Sequence, residues 1–151
     1  MTLIYSGMDA MAFLNMPSKQ QDETRKDFIS WADRYISFPC REQVSGLDLY
    51  GARCKRPSRA LGSSPSSDWQ GQCRMVGYAD HMVPEVCFKP NVSPKLVIIS
   101  IRGLAETFFV GTDNFLVDLF ADRAKASVAE QRLRWMHHTL PGGVNEQGGL
   151  L

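Results

Sequence analysis

The sequence predicts a mainly α-helical, α+β protein: a helical bundle with a small β-hairpin or short antiparallel sheet inserted. Three observations lead there. Apolar and aromatic residues recur at helical spacing over residues 19–36 and again over 104–140. A short segment with capping residues, 45–56, follows the first of these stretches. Between them, residues 74–101 hold brief strand-like runs broken by a proline-containing turn. With 151 residues, 44% hydrophobic and 22% charged, the chain has the size and make-up of one domain that buries its own core. Residues 1–143 are read as that single helical domain and 144–151 as a flexible C-terminal tail.

The N-terminal stretch MTLIYSGMDAMAFLNM lacks a basic opening and is interrupted by Asp9, so it reads as part of the fold rather than as a signal peptide. A helix is expected from Lys19 to Ile36, preceded by Pro17, capped by Ser18 with Gln21, and ended before Pro39. Phe28, Trp31, Ala32 and Tyr35 form its apolar stripe. A second helix begins after Ser45, with Asp48 as capping partner, and Pro57 requires it to stop by Arg56.

Residues 61–72 are rich in Ser and Gly and read as an exposed loop pinned by Trp69. The runs Arg74 to Ala79 and Glu85 to Phe88, on either side of a turn at Asp80 to Pro84, suggest a hairpin. Lys95 to Ile101 suits a third strand or the opening of the next helix. From Leu104 onward Phe108, Phe115, Leu116, Leu119 and Phe120 make a broad apolar face, on which Gly111 permits a close neighbour or marks a break. A last helix, Arg123 to Thr139, is expected to turn Val128, Ala129, Leu133, Met136 and Leu140 inward before Pro141-Gly142-Gly143 stops it.

Charge narrows the function classes. A net charge of +1 gives no general attraction to polyanions, so any nucleic-acid affinity must come from local clusters. Two exist: Arg53, Lys55, Arg56 and Arg59, and the helical set Arg123, Lys125, Arg132 and Arg134. No run approaches the roughly 20 apolar residues that span a bilayer, so no membrane partner is expected and a cytoplasmic location is the default. Cys40, Cys54, Cys73 and Cys87 lack the close pairing of a zinc knuckle and read as free thiols. His81 with Cys73 and Cys87 makes a weaker ligand set for the same reason. Asp118 and Asp122 lie one turn apart but lack a histidine partner for a bundle metal site, so neither metal nor cofactor is expected.

One segment carries a resemblance. Ser45 to Cys54, SGLDLYGARC, resembles a helix in bacterial proteins related to the HEPN superfamily, helical-bundle domains that include many ribonucleases. In that group four to six residues separate an arginine from a following histidine, the two acting on the phosphodiester and the attacking 2′-hydroxyl. A guanidinium suits the phosphate charge and an imidazole moves protons near neutral pH. The resemblance implies Arg53 as catalytic arginine. Beside it, the basic cluster Arg53, Lys55, Arg56 and Arg59 suits phosphates and Tyr50 suits a stacked base, and the aromatic helix suits a homodimer, which domains of that group commonly form.

The sequence departs from the pattern where the histidine belongs: Ser58, Arg59 and Ala60 occupy those positions, and KRPSR interrupts the helix. The change at Lys55 is abrupt, as a local frame change in the coding DNA would make it. Arg74 with His81, and Arg132 with His137 or His138, have the permitted spacing elsewhere. In a regular helix, however, residues five apart diverge by about 140° around the axis. The expected function is RNA interaction, as a degenerate, metal-independent ribonuclease of a bacterial toxin or defence system. The alternative is a non-enzymatic dimeric interaction module using the aromatic helix 104–120.

Overall fold

A computed structural model of the chain describes residues 2–39, 44–54, 73–80, 86–89 and 96–138. These form five helices and three strands: α1 (Thr2–Asn15), α2 (Arg25–Tyr35), α3 (Gly46–Cys54), β1 (Met75–Ala79), β2 (Val86–Lys89), β3 (Leu96–Ser100), α4 (Ile101–Ala121) and α5 (Arg123–His138). The fold is mainly α with a small sheet. Lys55, Arg56, Arg59, the 61–72 loop, His81 and the 144–151 tail lie outside the described residues.

The N-terminal stretch is itself a helix. Tyr5, Met8 and Ala12 recur on one side of α1 and are buried in the core. Gly7 lets Phe108 of α4 lie against this helix, since a Cβ there would come within 2.6 Å of the ring.

Helix α2 starts later than the sequence suggests. Its N-cap is Thr24, not Ser18, and the Asp27 carboxylate accepts from the Thr24 N–H at 2.8 Å and hydroxyl at 2.6 Å. Residues 16–24 instead connect α1 to α2. Gln20 ties this connector together, donating from Nε2 to Asp27 Oδ2 at 2.6 Å and to the Asp22 carbonyl at 2.8 Å. Carbonyls of the same connector are taken by Arg132, a partner that lies beyond any local window of sequence. Phe28, Trp31, Ala32 and Tyr35 face the core as the periodicity requires.

Helix α3 has the capping box its sequence announces. Ser45 N–H donates to Asp48 Oδ2, and Asp48 N–H to Ser45 Oγ, each at 3.1 Å. Gly46 sits against α2: its N–H donates to Asp33 Oδ1 at 2.5 Å, and a Cβ would strike the Ile29 carbonyl. Asp48 is buried and also receives Arg74, whose N–H reaches Oδ1 at 2.7 Å and whose Nε and Nη2 reach Oδ2 at 3.0 and 2.7 Å. The start of α3 and the start of β1 are thereby locked to one carboxylate.

The sheet has the order β1-β3-β2, with β1 parallel and β2 antiparallel to β3. The expected hairpin between β1 and β2 is therefore absent, because β3 lies between them. β3 is the most apolar of the three, and a central strand must be buried on the bundle side. Val97 and Ile99 are fully buried there.

β3 runs straight into α4. Ser100 ends the strand and caps the helix, its Oγ accepting from Gly103 N–H at 3.2 Å, so Lys95 to Ile101 is strand first and helix last. Gly111 provides the close approach: a Cβ there would meet the Tyr35 carbonyl oxygen at 2.6 Å. Phe115 packs edge-on against Trp31 and Tyr35, with ring centroids 6.2 and 5.5 Å apart.

Two expectations for the C-terminal helices are corrected. Phe120 and Leu133 face solvent rather than the core. Among the described residues of α5 the buried positions are Ala129 and Arg132, and Leu133, about 100° round the axis from Arg132, is left 42% exposed at the flank of that face. Asp122 caps α5, accepting from the N–H groups of Ala124 and Lys125 at 3.0 and 3.2 Å. Asp118 instead accepts from Arg34 and from the Tyr35 hydroxyl.

Candidate functional site

Arg53 stands in the last turn of α3 and points toward α1 and α2. Its Nε donates to Asp9 Oδ2 at 2.8 Å. The guanidinium also lies over the rings of Phe28 and Tyr50, 5.6 and 5.5 Å from their centroids. Phe28 and Tyr50 meet edge to face at 5.6 Å. Arg25, at the start of α2, covers the Tyr50 ring from 5.9 Å. The Arg53 side chain keeps about a third of its surface in solvent (34%).

The electrostatics are mixed rather than basic. Burial raises the Asp9 carboxyl above its ordinary range even though Arg53 opposes this, and Oδ1 of Asp9 has no hydrogen-bond partner. Burial, reinforced by the Asp9 charge, pushes Glu23 up to about 7. Burial works against the charge on Arg53, but the hydrogen bond and charge of Asp9 outweigh it and hold the cation more firmly than usual. Burial, followed by the hydrogen bond with Cys54, raises the Tyr50 phenol.

The arrangement unites a fixed guanidinium with a carboxyl that exchanges its proton near neutrality, the kind of group general acid–base chemistry uses. The guanidinium is already paired, however, so a phosphate must displace or outcompete Asp9. Of the residues expected at a nucleic-acid site, Arg53 and Tyr50 are brought together, while Lys55, Arg56 and Arg59 lie outside the described residues. Asp9 and Glu23 were not among the expected site residues. The one local signal was Asp9 itself, a carboxylate interrupting an otherwise apolar stretch.

The second basic cluster does not form a stripe. Arg132 is buried, and its guanidinium serves the end of α1 and the connector. Nη1 donates to the carbonyls of Leu14 and Met16 at 3.4 and 2.5 Å, and Nη2 to those of Pro17 and Gln20 at 2.7 and 3.3 Å. It thus satisfies an orphan carbonyl at the α1 end, that of Leu14, and three carbonyls of the connector. Arg134 pairs with Glu130 on the exposed side of α5.

A different surface stands out on α4. Phe109, Val110, Val117 and Phe120 are 66%, 59%, 70% and 71% exposed. At 100° per residue they fall within about 100° of arc, opposite the buried Leu104, Gly111 and Phe115 side. Asp113 shares that arc and is exposed. Among the described residues no group of three or more His, Cys, Asp or Glu is placed to hold a metal ion, and no helix is long and apolar enough to cross a membrane. No protein-family model matches the chain, and comparison with curated proteins and with solved structures finds no significant match.

Proposed function

We propose that this chain is a non-enzymatic interaction module that pairs with a second copy of itself through the outward face of α4. The supporting observation is the exposed stripe of Phe109, Val110, Val117 and Phe120. Large apolar side chains scattered singly are ordinary on a surface, but four on one side of a single helix point to a covered face. The stripe is nearly symmetric about Asn114, with a Phe and a Val on each side. Two antiparallel α4 helices therefore place the aromatic ends of one copy opposite those of the other, as a two-fold interface requires.

The helix is about 31 Å long at 1.5 Å per residue, so one helix pair buries less than the roughly 1,200–2,000 Å² of a stable interface. The expected dimer is therefore a weak one that forms at high concentration. Light scattering over a concentration series is the test. The native chain should shift from monomer to dimer, and Phe109→Ser with Phe120→Ser should hold it monomeric with unchanged helicity. A native chain that stays monomeric at the highest concentration sinks the proposal.

RNA interaction at Arg53 is the second reading. It is favoured by Arg53 and Arg25, both lying over the Tyr50 ring, since cations around an aromatic ring suit a phosphate and a stacked base. The neutralising Asp9 and the missing histidine favour binding over cleavage. Fluorescence anisotropy with single-stranded oligouridylate at low salt, native against Arg53→Ala, decides it. Absence of binding by the native chain removes this reading.

A further inference from the structure

A cleft of about 480 Å³ lies between the α1–α2 connector and α5, lined by Gln20, Gln21, Asp22, Gln131, Arg132 and Trp135. Its volume falls within the range of small-molecule sites. Among the described residues no aliphatic side chain lines it. Instead a large aromatic ring is set among amides and a carboxylate.

Trp135 is 62% exposed. Its indole lies nearly parallel to Phe13, at 6.3 Å and 27°, which backs the ring against α1. Gln131 precedes Trp135 by one helical turn on the same side of α5, and both line the cleft. Gln21 and Asp22 form the opposite lip and are exposed. That lip is held in place, because Arg132 binds the carbonyls of Pro17 and Gln20, and Gln20 in turn binds the Asp22 carbonyl and Asp27.

The chemistry selects a ligand class. Each glutamine amide both donates and accepts, while a carboxylate only accepts. Groups that donate and accept in turn, as vicinal hydroxyls do, complement such a rim. The π-face of the indole carries partial negative charge and suits the polarised C–H face of a pyranose ring. Arg132 directs both its Nη atoms at backbone carbonyls, and Asp22 adds negative charge, so the lining is poorly matched to a phosphate or another anion.

We propose that this cleft binds a neutral sugar ring, stacked on Trp135 and hydrogen-bonded by Gln21, Asp22 and Gln131. The site lies on α5 and the connector, apart from the α4 stripe, and does not depend on self-association.

The test titrates the full-length chain with cellotetraose, maltotetraose and chitotetraose, following tryptophan fluorescence and heat of binding, with adenosine monophosphate as the anionic ring control. At least one tetrasaccharide should saturate and shift the emission. Trp135→Ala should abolish that response, and Gln131→Ala should weaken binding roughly tenfold. Circular dichroism checks that both variants fold, and Gln131→Ala carries the test if Trp135→Ala does not. The proposal is overturned if none of the three saccharides binds at millimolar concentration. It is also overturned if binding survives in folded Trp135→Ala, if folded Gln131→Ala binds as tightly as the native chain, or if the nucleotide binds more tightly than the sugars.

Discussion

Arg53 donates from Nε to Asp9 Oδ2 at 2.8 Å, joining the last turn of α3 to the middle of α1 across 44 positions of sequence. Beside this pair sits Glu23, whose carboxyl faces Asp9, Arg53 and Asp27 and is pushed up to about 7, first by burial and then by the Asp9 charge. The three residues form one coupled unit, and its titration gives the first prediction.

The folded-state affinity of Glu23 for its proton is raised, so the folded chain holds a proton the unfolded chain gives up. The corresponding stability is fully present below 4.5 and is lost as pH rises through about 7. Asp48 has the opposite sign. Burial alone would raise it, but its hydrogen bonds from Arg74 and Ser45 win and lower it. Its contribution is present above the ordinary carboxylate range and fades as pH falls through its folded value. Urea midpoints should therefore decline from pH 5 to pH 8, and Glu23→Gln should flatten that limb. A limb unchanged by Glu23→Gln would show that another group carries it.

Asp48→Ala should be among the most damaging single changes. It strips the cap from α3 and removes the buried carboxylate that the Arg74 N–H groups reach, at a cost of about 3 kcal/mol or more. Asp48→Asn keeps an acceptor for the Ser45 and Arg74 N–H groups and should recover part of that loss. Equilibrium urea unfolding measures both. Equal stability of Asp48→Ala and the native chain would remove the buried link between α3 and β1.

Arg132→Lys should behave much like Arg132→Ala. An ammonium cannot spread over four carbonyls as the guanidinium fork does, so each variant should lose about 2–3 kcal/mol. Hydrogen exchange should report opening of the α1 terminus and of residues 16–24 in both. Full stability in the lysine variant would show that charge alone, not the fork, holds the connector.

Two glycine substitutions separate a rigid contact from a yielding one. A Cβ at position 111 meets the Tyr35 carbonyl oxygen at 2.6 Å, and only a backbone shift relieves it, so Gly111→Ala should cost about 2 kcal/mol. A Cβ at position 7 meets the far end of the Phe108 ring at the same distance. That ring can turn aside, and alanine gains about 0.5–1 kcal/mol from helix propensity, so Gly7→Ala should be close to neutral. Thermal melts of the two variants should differ clearly.

Asp113 lies within the exposed arc of α4 and opposes burial of that face. Asp113→Leu should tighten self-association roughly tenfold by removing a desolvation cost and adding apolar area. Light scattering on the same concentration series reads the change. A dissociation constant unaffected by Asp113→Leu would place the contact elsewhere.

Much of the fold was legible because its signals are local. The Ser45–Asp48 box and the Phe28, Trp31, Ala32 and Tyr35 stripe each depend on residues within a few turns, whose spacing is visible in the chain, whereas the neighbour that Gly111 admits, Tyr35, belongs to a distant helix. The α2 start was misplaced because two capping pairs, Ser18 with Gln21 and Thr24 with Asp27, stand six residues apart. What distinguishes them is distant: Arg132 takes the carbonyls of Leu14, Met16, Pro17 and Gln20, more than 110 positions away. Strand order was hidden for a related reason. Alternation and β-branching mark a strand but not its neighbour, and β3 entered between β1 and β2 because its apolar side chains needed the core.

The sequence by itself determined a mainly helical domain, the cap that opens α3, and the delivery of Arg53 at its end, since helix periodicity and capping are properties of neighbouring residues. Only the tertiary structure decided that Arg53 meets Asp9, that Arg132 faces inward and that Phe109, Val110, Val117 and Phe120 face outward. Those outcomes depend on which groups long-range packing brings within a few ångströms, and no short stretch of chain contains that information.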